Sequence, residues 1–245
     1  MDISELLIFA VENKGSDLHI SSGEQPFIRI NGEMRKVELP HLDREDVHNM
    51  IYGILNDFQR KTYEEHLELD FSFDLGGYGR FRCNVFKQQR GDAAVFRTIP
   101  SIIPSFEQLG LPNVLKAVSR LEKGLVLVTG PTGTGKSTTL AAMIDLINNE
   151  FKSHIITIED PIEFVHVSKN CLVNQRELGP HTHSFANALR STLREDPDVI
   201  LVGEMRDLET ISLALTAAET GHLVFATLHT SGAPNTIDRI VDVFP

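Results

Sequence analysis

The sequence predicts an α/β fold in which a small α+β domain precedes a larger domain built on a doubly wound parallel sheet. Two observations predict it. From Leu125 onward, short apolar strands alternate with amphipathic helices, which is the pattern of a parallel sheet covered on both faces. In the first hundred residues, helices and strands instead form separate groups with turn residues between the strands, which is typical of an α+β domain.

Composition bounds the kinds of function to consider. Of the 245 residues, 41% are hydrophobic and 23% charged, which predicts a soluble globular protein with a real core. A net charge of −11 argues against a broad nucleic-acid surface. Cys83 and Cys171 lack metal spacing, so we expect buried thiols in a reducing cytoplasm. No stretch approaches the roughly 20 apolar residues of a membrane span, so any work at a membrane is expected to go through a partner.

The predicted small domain begins with an amphipathic helix. Apolar residues recur at helical spacing through residues 1–14 until Gly15, and the acidic start predicts that this segment is not a signal peptide. Asn31-Gly32 predicts a hairpin turn, because both residues tolerate positive φ, and Asp43 is a predicted helix cap. Strands are predicted at 17–22, 26–30, 33–37, 69–75, 79–86 and 93–99, and two further helices at 43–55 and 57–68.

Two prolines mark the predicted connection between the domains. Pro100 and Pro104 interrupt both periodicities, so we expect domains at 1–100 and 101–245. The strand that begins at Cys171 has a polar end and is predicted at a sheet edge. In the second domain, strands are predicted at 125–129, 154–158, 171–175, 199–202 and 222–228, and helices at 106–110, 113–118, 136–148, 185–194, 208–220 and 236–243.

A glycine-rich segment between the first strand and helix of the second domain fits the P-loop pattern of a glycine, four residues and then Gly-Lys-Ser. Its glycines permit successive backbone N–H groups to converge on phosphate oxygens, and the next helix points its positive end there. Lys136 is predicted between the β- and γ-phosphates of ATP and Ser137 on Mg²⁺. A glycine-rich turn without a ligand is the alternative. The predicted nucleotide-binding residues are Gly130, Pro131, Thr132, Gly133, Thr134, Gly135, Lys136, Ser137 and Thr138.

Acidic residues follow two of the predicted strands, where ligands collect in doubly wound sheets. Glu204 ends an apolar strand predicted beside the P-loop strand, so it is a candidate to hold Mg²⁺ through water; a helix N-cap is the alternative. Glu159, Asp160 and Glu163 form the other group, for which a solvated loop is the alternative. We expect Glu163 to orient the attacking water, since it is predicted deepest in the loop.

Histidines and arginines complete the candidate set. His222 and His229 bracket a strand at opposite ends, and His229 is placed to sense a γ-phosphate; a satisfied core histidine is the alternative. Arg80 and Arg82 share one face of a strand, and Arg97 is a third candidate. These arginines are either simply solvated or supplied to the phosphates bound by a neighbouring subunit, which would make hydrolysis depend on assembly.

Four segments resemble, in order and spacing, the Walker A, Asp box, Walker B and His box of the secretion-superfamily ATPases. They span residues 130–138, 158–166, 193–207 and 221–230. Within that superfamily, Met1-Asp-Ile and the segments 16–20 and 95–100 are similar to the type IV pilus retraction branch. The resemblance covers nearly the full length given, and four ordered boxes are far more specific than one P-loop.

The resemblance implies a PAS-like N-terminal domain, a RecA-like ATPase domain and a hexameric ring with ATP at subunit boundaries. It implies that Glu163 is the catalytic glutamate, Glu204 the Walker B acid, and His222 and His229 the His-box residues. Arginines of the N-terminal domain would complete a neighbour's site. It also implies a cytoplasmic ring docked on an inner-membrane pilus platform protein, using ATP to disassemble the pilus.

Relatives of this kind are expected to continue past Pro245, so the sequence is interpreted as C-terminally truncated. Three alternatives to a retraction motor stay open. An assembly or secretion ATPase of the same superfamily would share every box. A DNA motor would share the P-loop, although the acidic balance opposes it and no nucleic-acid partner is expected. The third alternative is a module that binds nucleotide without turnover.

Overall fold

The structure is a computed structural model that describes residues 2–100 and 102–245. Two compact units follow one another along the chain, Met1–Ser101 and Ile102–Pro245. The predicted domain limits differ from these units by one residue, Ser101. That residue of the predicted connection, and Met1 of the predicted first helix, lie outside the described residues.

The first unit has helices on a fully antiparallel sheet, as expected of an α+β domain. In chain order its elements are α1 (Ile3–Glu12), β1 (Asp17–Ser21), β2 (Phe27–Ile30), β3 (Glu33–Lys36), α2 (Arg44–Ile54), α3 (Asp57–His66), β4 (Glu68–Leu75), β5 (Gly79–Gln88) and β6 (Gly91–Ile99). The strand order is β3-β2-β1-β6-β5-β4. The hairpin at Asn31 and Gly32 is confirmed, with φ of 51° and 85°. Asp43 caps α2 by accepting the Asp46 N–H.

The second unit is built on a fully parallel sheet. Its elements are α4 (Phe106–Leu109), α5 (Asn113–Ser119), β7 (Gly124–Thr129), α6 (Lys136–Glu150), β8 (His154–Glu159), β9 (Leu172–Glu177), α7 (Phe185–Thr192), β10 (Val199–Val202), α8 (Leu208–Glu219), β11 (Leu223–Leu228) and α9 (Ala233–Val241). The helix α9 begins earlier than predicted, because Pro234 fits the first helical turn. Within the described parts of the chain, no helix is long and apolar enough to cross a membrane.

The order of the parallel strands is β7-β11-β10-β8-β9. The strand β9 lies at an edge, which confirms the prediction from its polar end. One prediction is wrong: the strand that leads to Glu204, β10, does not lie beside the P-loop strand β7, because β11 lies between them. Local sequence indicates that a strand is buried but not which strands flank it.

Helices cover both faces of this sheet, and β10 shows why its sequence is continuously apolar. Val199 and Leu201 pack into the core on the α6 side, whereas Ile200 and Val202 pack into the core on the α7 and α8 side. All four side chains are buried. Alternate residues of a strand point to opposite faces, so a strand covered on both sides must be apolar throughout. This packing fixes the carboxyl ends of the strands, where the candidate site lies.

Candidate active site

The P-loop connects β7 to α6 through a turn that requires glycine. Gly130, Gly133 and Gly135 have φ of 148°, 81° and 90°, the region that side chains with a Cβ rarely adopt. Gly135 precedes α6 without a side-chain cap. The first N–H groups of α6 therefore keep no side-chain partner at the helix end, and they face the place where an anion binds best.

The Lys136 side chain folds back into this turn and binds its backbone. Its Nζ donates hydrogen bonds to the carbonyl oxygens of Gly130 at 2.9 Å and Pro131 at 3.0 Å. The Thr134 hydroxyl donates to the same Pro131 carbonyl at 2.8 Å. The ammonium group thus lies within the loop, and phosphate oxygens can take the place of these two carbonyls.

A cavity of about 360 Å³ opens beside the P-loop. Most of the predicted site residues of this unit line it: Thr132, Gly133, Gly135, Lys136, Ser137, Thr138, Glu163, Glu204 and His229. Gly130, Pro131 and Thr134 belong to the same turn but are not among the lining residues. The strand order that separates β10 from β7 still brings Glu204 to this cavity, because all five strands end at the same edge of the sheet.

Glu204 is held by two partners at the carboxyl end of β10. Its Oε2 accepts a hydrogen bond from Arg206 Nη2 at 2.7 Å, and its Oε1 lies 3.3 Å from His229 Nε2. The hydrogen bond from Arg206 is the largest cause that lowers the pKa of Glu204. The carboxyl group is therefore ionised at neutral pH. The alternative role as a helix cap is wrong, because Asp207 caps α8.

Glu159, at the end of β8, and Glu163, in the loop after it, differ in depth, and the prediction that Glu163 lies deepest is wrong. Glu163 is exposed, whereas Glu159 is only 8% exposed. Glu159 Oε1 accepts hydrogen bonds from Thr157 Oγ1 at 2.5 Å and Gln175 Nε2 at 3.1 Å. Burial raises the pKa of Glu159 to about 6 despite these bonds. The buried carboxyl group is that of Glu159, the last residue of β8, whereas Glu163 lines the cavity with an exposed side chain.

Gly203, which lacks a side chain, permits the close approach of β10 to the carboxyl end of β8. A Cβ at this position would lie 3.2 Å from Glu159 Cα and 3.2 Å from the Ile158 carbonyl oxygen. The Thr227 hydroxyl from β11 donates to the Gly203 carbonyl at 2.5 Å. The ends of β8, β10 and β11 are therefore tightly packed and form the floor of the cavity. This packing sets the spacing between Glu159 and Glu204.

The structure does not bring His222 to the cavity. This residue precedes β11, at the opposite end of the strand from His229, and its Nδ1 lies 2.9 Å from the Ala217 carbonyl oxygen and 3.3 Å from Thr220 Oγ1. Ala217 is in the last turn of α8, and Thr220 is the C-terminal cap of that helix. Within this unit His222 holds the α8 to β11 connection, and the predicted catalytic role finds no support in the geometry.

The three candidate arginines belong to the first unit. Arg82 and Arg97 lie opposite each other on β5 and β6, and Arg97 lies opposite Asp17 on β1. Arg97 Nε donates to Asp17 Oδ1 at 2.9 Å. Burial tends to raise the pKa of Asp17, but hydrogen bonds from Ser16 and Arg97 outweigh it and lower the pKa. Arg80 Nη2 donates to the Ser72 hydroxyl at 2.7 Å.

Sequence reasoning missed several residues of the cavity. Arg206 could have been found from its place two residues after Glu204. His166, the last residue of the segment that resembles the Asp box, was not singled out either: it lines the cavity, is 8% exposed, and its Nδ1 has no hydrogen-bond partner among the described residues. Burial lowers the pKa of His166 to about 4, so its ring is neutral at neutral pH.

These features define a P-loop nucleotide-binding protein: a turn of backbone N–H groups at a helix start, a lysine and a serine behind it, and acidic side chains at the carboxyl ends of neighbouring parallel strands. The family follows from comparison. Residues 1–243 match the family model described as Type II/IV secretion system protein, and the chain belongs to that family.

The relatives share most or all of this chain. The type IV pilus retraction ATPase PilT of Pseudomonas aeruginosa is 64% identical over 245 residues, which is 100% of this chain and 71% of that protein. A twitching motility protein of Neisseria gonorrhoeae is 64% identical over 220 residues, or 90% of this chain and 59% of that protein. A type II secretion system protein E of Aeromonas hydrophila is 35% identical over 254 residues, which is 98% of this chain and 49% of that protein.

A solved structure supports the same fold. The crystal structure of the pilus retraction motor PilT with bound ADP superposes with a TM-score of 0.95 at 53% sequence identity. The superposition covers 100% of this chain and 72% of the PilT chain. The predicted α/β fold with a P-loop ATPase domain is thereby confirmed, as is the resemblance to the pilus retraction branch.

Proposed function

We propose that this chain is the motor core of a type IV pilus retraction ATPase, which hydrolyses ATP to power pilus disassembly and twitching motility. The observation that carries the proposal is the convergence of the P-loop, Glu163, Glu204 and His229 on one cavity, in a chain 64% identical over its whole length to a retraction ATPase. Named secretion relatives are less similar, at 35% identity for type II secretion protein E.

The P-loop binds the phosphates of ATP. Backbone N–H groups at the start of α6 donate to phosphate oxygens, and the helix end favours their negative charge. Lys136 exchanges the carbonyl oxygens of Gly130 and Pro131 for oxygens of the β- and γ-phosphates. The charge that develops during phosphoryl transfer is stabilised by groups already in place, which is the main source of catalysis in this chemistry.

The residues present fit Mg²⁺. Within residues 2–100 and 102–245, no group of three or more His, Cys, Asp and Glu side chains is placed to hold a metal ion. The cavity instead offers the Ser137 hydroxyl and the ionised Glu204 carboxylate. That set suits an ion that takes its remaining ligands from phosphate and water. Ser137, and Glu204 through water, would hold Mg²⁺, which when bound neutralises charge on the phosphates.

Glu163 orients the water that attacks the γ-phosphate in line, with no covalent intermediate. Its side chain lines the cavity and is exposed, so water can reach it there. His229 contacts Glu204 and links the Walker B acid to the end of β11. In this way His229, at the carboxyl end of β11, senses whether the γ-phosphate is present.

The working form is a homo-hexamer in which Arg80, Arg82 or Arg97 of one subunit completes a neighbour's site. Two exposed guanidinium groups, those of Arg82 and Arg97, lie side by side on the first unit's sheet and suit an anion supplied from outside the chain. The ring acts at the cytoplasmic face of the inner membrane through a pilus platform protein, and it needs no nucleic acid.

The test is steady-state ATPase rate against protein concentration, with ring size followed by light scattering in the same Mg²⁺ buffer. Sites shared between subunits predict that the specific rate climbs as hexamers form. A monomer that binds ATP without turnover supports a nucleotide-binding module instead. Restoration of twitching in cells that lack their own retraction ATPase separates a retraction motor from an assembly or secretion ATPase.

A further inference from the structure

The loop that carries Glu163 has no regular secondary structure between β8 and β9, yet its backbone is held at three points by side chains of β9. Ile162 N–H donates to Glu177 Oε2 at 3.1 Å. Gln175 Nε2 donates to the Phe164 carbonyl at 2.8 Å, and His166 N–H donates to Gln175 Oε1 at 2.7 Å. Two of these points immediately flank Glu163 on either side.

Gln175 is the centre of this arrangement. Its Nε2 also donates to Glu159 Oε1 at 3.1 Å, so both amide hydrogens and the amide oxygen are used. Only one orientation of the amide satisfies all three partners, because a carbonyl and a carboxylate need donors and the His166 N–H needs an acceptor. Gln175 therefore joins the floor of the cavity to the loop above it in one fixed geometry.

We propose that Gln175 is a positioning residue for ATP hydrolysis: it clamps loop 160–166 so that Glu163 reaches the attacking water. This inference rests on the proposed function. Glu163 is exposed, so its place depends on the backbone that carries it. A water-orienting carboxylate must be held closely, because a displacement of about 1 Å can cost on the order of 100-fold in rate.

The neighbouring residue on β9 offers a matched control. Asn174 carries the same functional group on the other face of the strand, where its Nδ2 lies 2.8 Å from His154 Nε2, a residue at the far end of β8. The substitution Gln175→Met keeps the length of the side chain and removes its three hydrogen bonds to the cavity floor and loop. Asn174→Leu removes an amide of the same strand without touching loop 160–166.

The experiment measures kcat and KM for ATP, nucleotide affinity, and hydrogen exchange of the peptide 160–166 in the full chain. We expect Gln175→Met to lower kcat about tenfold or more with nucleotide affinity within about twofold of the parent, and to speed exchange in that peptide. Asn174→Leu is expected to match the parent in all three. Because Gln175 acts through Glu163, the double variant Gln175→Met/Glu163→Gln should turn over within about twofold of Glu163→Gln alone.

A parent rate in Gln175→Met, or losses that multiply in the double variant, would overturn the clamp. If Gln175→Met fails to fold, Gln175→Asn retains the amide but withdraws it by one methylene, and the same kcat loss is expected. A parent chain without turnover contradicts the proposed function rather than the clamp alone. Hydrogen exchange then decides the clamp, because unchanged exchange in peptide 160–166 of Gln175→Met overturns it without reference to activity.

Discussion

The two ends of β11 carry the same residue type in different surroundings. His229, at the carboxyl end, lies 3.3 Å from the ionised Glu204 and lines the cavity. His222, before the amino end, lies against the Ala217 carbonyl at the end of α8. The difference teaches that in a parallel sheet the end of the strand decides what a polar residue can do, because ligands of such sheets bind beyond the carboxyl ends of the strands.

The largest expected effect comes from the residue that meets the phosphates directly. Lys136→Ala removes the ammonium group from the P-loop, so ATP turnover should fall by about 100-fold or more and below detection in a coupled assay. Lys123→Ala, outside the cavity lining, should keep the parent rate. Turnover close to the parent in Lys136→Ala would show that the carboxyl-end cavity is not where ATP reacts.

Glu163→Gln is expected to separate binding from chemistry. The amide keeps the size of the side chain but no longer orients water as a carboxylate does, so turnover should slow about 100-fold while ATP affinity stays within about twofold. Fluorescent-nucleotide titration and single-turnover hydrolysis measure the two quantities. Equal turnover in the variant and the parent would remove Glu163 from the reaction.

The histidine pair tests the comparison itself. His229→Gln removes the contact with Glu204, so we expect kcat to fall about tenfold, the lower end of what a hydrogen bond to a charged group contributes. His222→Gln should leave kcat within about twofold and lower only the melting temperature, because its partners belong to the end of α8. A larger kcat loss in His222→Gln would break the rule that the strand end decides the role.

The same distinction between strand ends explains which site residues could be predicted from the sequence. The P-loop, Glu204 and His229 were predicted because they follow apolar strands, and the ends of parallel strands meet at one edge of the sheet. The position of β11 between β7 and β10 was missed, since lateral order is set by packing between distant segments. The depth of Glu159 relative to Glu163 was missed because burial at the end of β8 depends on residues of other strands, among them Gln175 of β9, which donates a hydrogen bond to Glu159.

The smallest expected effect concerns the buried carboxyl group at the end of β8. The folded pKa of Glu159, about 6, lies above its ordinary value of 4.5, so the folded state binds this proton more tightly than the unfolded state does. The resulting stabilisation is complete below pH 4.5 and is lost as the pH rises through 6, a change of about 2 kcal/mol.

Urea denaturation of Glu159→Gln and the parent between pH 4.5 and 7.5 measures this contribution. Because the amide does not titrate, the free energy of unfolding of the parent should fall relative to the variant as the pH rises. The difference should level off near pH 7, where Glu159 is ionised in both states. A constant difference across this range would mean that Glu159 titrates alike in the folded and unfolded chain, and that its hydrogen bonds from Thr157 and Gln175 fully offset its burial.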